Sequence, residues 1–117
     1  KMANKDIVAY WDVPLADKVH RVEFEHGTTS GKRVIYVDGR EIYRKDWMFK
    51  LVGKEHFNIK DAKCVISIEA VSGFAYEYTL EINGKSLKKF VENQVKVQSA
   101  WLLYSKGEKV RICLGEH

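Results

Sequence analysis

Polar and apolar residues alternate with a period of two over much of the chain. In VHRVEFEH, Val22 and Phe24 fall on one side and Arg21, Glu23 and Glu25 on the other, the pattern of a strand with one face against a core. The longest such stretch is FAYEYTLEI: Phe74, Tyr76, Tyr78, Leu80 and Ile82 share one face, and Ala75, Glu77, Thr79 and Glu81 share the other. Just before it, CVISIEA sets Cys64, Ile66, Ile68 and Ala70 against Val65, Ser67 and Glu69. Val71-Ser72-Gly73 is a short link of the kind that joins two antiparallel strands, so these two segments are expected to pair.

Asp38-Gly39 and Asn83-Gly84 mark two further hairpins, because both central positions of a type I′ turn need positive φ, which Asp, Asn and Gly tolerate best. RVIYV and EIYRK flank the first of these turns. Near the end, SAWLLYS, Lys106-Gly107 and KVRICL read as another hairpin. A helical spacing shows in SLKKFVENQV, with Leu87, Phe90 and Val91 at i, i+3 and i+4. It follows directly on a turn and is polar beyond Val91, so it is read as a short strand running into a linker over Glu92 to Gln98. The expected fold is all-β, an antiparallel β-sandwich of about eight strands. The sandwich domain is placed at residues 1–91, and residues 92–117 are read as a linker and a terminal hairpin.

Composition narrows the function classes. An apolar share of 45% with a single proline fits a folded domain. The net charge of +4 mildly favours acidic partners, but the one dense basic run, KSLKK with Lys85, Lys88 and Lys89, is small beside a groove that tracks nucleic-acid phosphates. Nucleic acid is therefore not expected as a partner, and no apolar run is long enough for membrane insertion. Cys64 and Cys113 lack the spacing of a zinc or redox motif and read as reduced, unpaired thiols. With no secretory signal in KMANKDIVAYW, a cytoplasmic location is the expectation.

HGTTSGKR resembles a phosphate-cradling loop at first sight. It lies between two predicted strands and lacks the Walker spacing, so it reads as a bend. His20, His26 and His56 show no ligand spacing or nucleophile motif and are read as surface or strand-edge residues. Glu77 and Glu81 share a strand face, which on a sandwich is more simply the solvated one than a pair of catalytic carboxylates. No catalytic, cofactor-binding or metal-binding residue is assigned. The three tryptophans are more informative, since exposed rings on a sandwich can bind sugar or protein. In DWMFKL, a strand with Trp47, Phe49 and Leu51 inward would leave Met48 outside beside Lys45 and Lys50. Trp47, Met48 and Lys50 are thus candidate protein contacts, together with Lys85, Lys88 and Lys89.

Three long strings, EFEHGTTSGKRVIYVDGREI, KDWMFKLVGKEHF and VSGFAYEYTLEINGKSLKKF, resemble the Fas apoptotic inhibitory molecule family. The likeness runs from Ile7 to about Phe90 and is thinner through AWLLYSKGEKVRICL. It implies a non-enzymatic cytosolic β-sandwich protein, without cofactors, that protects cells from death-receptor-triggered apoptosis. Its implied partners are proteins of death-receptor signalling or misfolded clients that it holds out of aggregates. Family chains carry a second, related sandwich, and VRICLGEH faintly echoes RVEFEH, as the first strand of such a copy would. A carbohydrate-binding or other ligand-binding sandwich is the competing class, and an exposed coplanar row of aromatic rings would favour it.

Overall fold

A computed structural model describes residues 6–73 and 75–105. Two four-stranded antiparallel sheets pack face to face. The first holds β1 (Ile7–Pro14), β2 (Val19–His26), β3 (Arg33–Val37) and β4 (Arg40–Lys45), and the second holds β5 (Gly53–Ile59), β6 (Ala62–Ser72), β7 (Ala75–Ile82) and β8 (Lys85–Ser86). Strand order follows chain order in each sheet. All neighbours are therefore joined by hairpins, and the chain changes sheet once, between β4 and β5.

The period-two faces meet in the middle. Val13, Val22, Phe24 and Ile35 of the first sheet pack against Ile66, Ile68, Leu80 and Ile82 of the second. Of the expected core, Val22, Phe24, Leu80 and Ile82 are buried, Tyr76 and Tyr78 are half-buried at its margin, and Phe74 lies outside the described residues. Both marked turns form as expected: φ is 54° and 82° at Asp38-Gly39 and 51° and 81° at Asn83-Gly84. The Asn83 side chain also accepts the Lys63 N–H at 2.9 Å, tying its turn to the neighbouring hairpin. HGTTSGKR is a bend between β2 and β3, closed by Gly31 N–H to Gly27 O at 2.8 Å and Gly27 N–H to Lys32 O at 2.9 Å.

One element differs in kind from expectation. SLKKFVENQV does not run as a strand into a linker, and SAWLLYS is not a strand: α1 spans Leu87–Ser105. Ser86 starts it, its hydroxyl accepting the Lys89 N–H at 3.3 Å in the manner of an N-cap. Leu87 and Phe90, one turn apart, then pack on the core, and the Gln94 amide donates to Pro14 O at 2.9 Å. Tertiary burial of this stripe outweighs the polar character of the segment. KVRICL, the second arm of the expected terminal hairpin, lies outside the described residues, as does Cys113. Cys64 is a free, buried thiol whose pKa is pushed up to about 11 by burial.

Leu80 is 3% exposed at the centre of this contact. Leu80→Ala is expected to cost about 2–5 kcal/mol, the range for a large-to-small change in a close-packed core, read from denaturant unfolding. A cost under about 1 kcal/mol would mean that the sheets do not close over this position.

Candidate functional site

The crossover between the sheets, residues 46–52, carries three of the candidate contact residues, and buried polar groups beneath it set its shape. Arg33, the first residue of β3, is 1% exposed. Its Nη1 donates to Glu55 Oε2 at 2.8 Å, and its Nη2 donates to Lys50 O at 3.0 Å and Val52 O at 2.9 Å. The carbonyl between these, Leu51 O, accepts from His26 Nε2 at 2.9 Å. A carbonyl can only accept, so Nε2 carries the proton and Nδ1 accepts from the Tyr78 hydroxyl at 2.7 Å. Burial pushes the His26 pKa below its ordinary value, with nearby Arg33 adding to the effect, and the ring is held neutral.

With three successive carbonyls turned inward, the side chains follow a path opposite to the one a strand would impose. Trp47 is 63% and Phe49 85% exposed, their rings 6.4 Å apart. Met48 is half-buried, its N–H donating to Ser30 O at 3.0 Å and its backbone lying against Gly31. A Cβ at Gly31 would meet Met48 O at 2.3 Å, and φ there is +77°, so glycine is required on both counts. The expectation of Trp47 and Phe49 inward with Met48 outward is thus reversed, because the segment is not a strand.

Lys50 is exposed on the same loop. Lys85, Lys88 and Lys89 are exposed elsewhere, on β8 and the first turn of α1. β5 and β8 are opposite edges of the second sheet, so the two groups of candidates do not form one surface.

The expectation that histidines lie at the surface holds for His56 and fails for His20 and His26, which are 4% and 5% exposed. Both continue the inward row of β2, since His20, Val22, Phe24 and His26 are each two residues apart. Extending the alternation by one step at each end would have found them. At the other end of the sandwich, His20 Nδ1 meets Asp38 Oδ2 at 2.7 Å and Nε2 meets Asp17 Oδ1 at 2.9 Å. Both ring nitrogens donate to carboxylates, so His20 has neither a lone pair for a metal nor one for proton abstraction. Its pKa is raised, chiefly by Asp17, and Asp17 in turn is held down at about 2, chiefly by His20. Glu25 keeps its predicted outer parity but is buried there, because the Tyr36 hydroxyl donates to it and Lys32 Nζ reaches it at 3.0 Å.

A family model for Fas apoptotic inhibitory molecule (FAIM1) matches residues 7–117. The chain belongs to that family. It is 64% identical over 111 residues to Fas apoptotic inhibitory molecule 1 of Homo sapiens, covering 93% of this chain and 62% of the human protein. The Mus musculus protein of the same name is 63% identical with the same coverage, and that of Bos taurus is 63% identical with 55% of its length covered. The chain therefore spans little more than half the length of these relatives. Among the described residues no helix is long and apolar enough to cross a membrane.

The two buried histidines should give opposite pH signatures. His20 has a folded pKa above its ordinary 6.5, so its contribution is complete below about pH 6.5 and is lost as pH rises through the raised value. His26 has a folded pKa below 6.5, so its contribution is complete above that pH and is lost as pH falls below it. Thermal melts across pH 5 to 9 should show His20→Gln losing the alkaline-side decline of the parent; parallel curves would contradict the bridging imidazolium. Arg33→Ala should cost about 3–5 kcal/mol in denaturant unfolding, since Glu55 would be left buried without its partner.

Proposed function

We propose that this chain is a non-enzymatic cytosolic interaction protein that restrains death-receptor-triggered apoptosis and holds damaged proteins out of aggregates, and that it contacts its partners through the loop over residues 46–52. The observation that carries this reading is the Trp47 and Phe49 pair. Two large rings stand 63% and 85% exposed on a loop whose backbone is fixed by buried hydrogen bonds. Exposed aromatic side chains on a rigid support lose little entropy on association, and aromatic anchors dominate protein interfaces. The names of the relatives support the anti-apoptotic part of the reading.

The competing sugar-binding class finds less support. Trp47 and Phe49 are tilted 47° to each other and so offer no flat platform, while Trp11 is half-buried against the core. The His20 ring is closed on both sides by carboxylates, so it is not free to act as a base. Lys85, Lys88 and Lys89 are kept as a second, separate cationic contact.

The test is the double variant Trp47→Ser with Phe49→Ser. Both side chains are exposed, so unfolding free energy should move by no more than about 0.5 kcal/mol. Protection of cells against death-receptor stimulation and suppression of client aggregation should both fall. A folded variant that protects as well as the parent would place the contact surface elsewhere.

A further inference from the structure

The sandwich has three full-length edge strands among the described residues, and they are not equivalent. β1 pairs with β2 through a register break between Ile7 and Ala9, ends in Pro14, and has α1 against it through the Gln94 to Pro14 hydrogen bond. β4 pairs with β3 through a break that leaves Ile42 without an opposite residue. Such breaks, prolines and covering helices are the usual means of blunting an edge. β5 has none of these. It pairs with β6 in continuous register over its whole length, from Gly53 opposite Ile68 to Ile59 opposite Ala62.

Two further features fall on the same side of the molecule. Four of the exposed large apolar residues, Ile42, Trp47, Phe49 and Val52, lie on β4 or the loop that leads into β5. A groove of about 360 Å³ of mixed lining opens between the start of β4 and the end of β5, with Ile42 and Ile59 beside Lys18, Asp38, Arg40 and Lys60. The charge here is net positive. Arg44 is consumed by Glu41 and Asp46, whereas Lys45, Lys50 and Lys54 are exposed and make no ion pair among the described residues.

We propose that the β5 edge pairs as an additional strand with an extended segment of another polypeptide that alternates acidic and aliphatic side chains. Main-chain hydrogen bonds to an open edge supply affinity that is indifferent to sequence, and alternate side chains supply selectivity. On the outer face the added strand meets Lys54 and His56, which select carboxylates. On the inner face it runs along the partly buried Tyr43 and Phe57 rings at the margin of the core, which select aliphatic groups. A second copy of this chain is the weaker occupant, because it would bring the same uncompensated lysines together. The inference deepens the reading above by naming where and by what chemistry a partner is held, and it rests on that reading in taking another polypeptide as the ligand.

The test uses the isotope-labelled chain and a blocked synthetic peptide of about eight residues alternating Glu and Val, long enough to cover the seven residues of β5. Amide shifts should move along Gly53–Ile59, with alternate amides of that strand slowed in hydrogen exchange. Lys54→Glu should weaken binding by about tenfold, as for loss of a good charge-assisted contact, while Lys96→Glu on α1, which packs on the far side of the sandwich, should leave it unchanged. The same peptide N-methylated at the amides that would face β5 should not bind. Equal binding by the N-methylated peptide, shifts confined to Trp47 and Phe49, or protection of the β5 amides by dimerisation without peptide would each overturn the proposal. Those outcomes leave the loop's role to be decided by its own double variant, so the two readings fail separately.

Discussion

The guanidinium of Arg33 constrains the layout more than any apolar contact does. A positive charge 1% exposed must find an anion and enough acceptors, or burial would cost several kcal/mol. Glu55 on β5 supplies the anion and the carbonyls of Lys50 and Val52 supply acceptors for the two Nη groups, while Nε has no partner among the described residues. One residue of the first sheet thereby fixes the first strand of the second sheet and the segment that joins them. Gly53 belongs to this arrangement: its φ is +139°, and a Cβ there would come to 3.5 Å from the guanidinium nitrogens. Tyr43 of β4 has its pKa pushed up by burial and by the same Glu55 carboxylate.

The core is thus bracketed by polar clusters along a single row. His20 and His26 are the same residue type on the same strand face, and their pKa values move in opposite directions. The difference is in their neighbours. Two carboxylates favour the charged ring at one end, whereas at the other burial, aided by the nearby Arg33 guanidinium, favours the neutral ring and outweighs the opposing pull of the Leu51 carbonyl. Both clusters tie loops to strands: Asp17 lies between β1 and β2, Asp38 in the turn after β3, and Leu51 in the crossover.

What could be read from the sequence was whatever depends on local parity and turn chemistry. The alternating faces, the Asp-Gly and Asn-Gly hairpins and the bend at HGTTSGKR follow from neighbouring residues alone. The turn at Lys60-Asp61 escapes such reading, because Lys60 takes a φ of 54° without the residue type that usually signals it. The helix escapes because its apolar stripe is narrow and gains stability from packing on strands distant in sequence. The Trp47 segment stands out in the sequence for its apolar content, but its orientation depends on Arg33 and His26, about two strands earlier, and parity within the segment carries no trace of them. Buried Glu25, Arg33 and Glu55 share that limitation, since a charged residue reads as exposed until its partner is known.

The two open sides of the sandwich are closed by different means, and that asymmetry bears on what each can do. On the side of β1 and β8, α1 packs Leu87 and Phe90 onto the core, covering apolar surface with apolar surface. On the side of β4 and β5, the cover is a loop whose inward groups are carbonyls and whose apolar side chains point away. A helix in that place would have buried the aromatic rings and shielded the β5 edge. A loop held by buried hydrogen bonds instead keeps the rings exposed while denying them freedom to collapse onto the protein. Holding such a surface open costs stability, because rings left in water forgo the burial that a collapsed loop would give them.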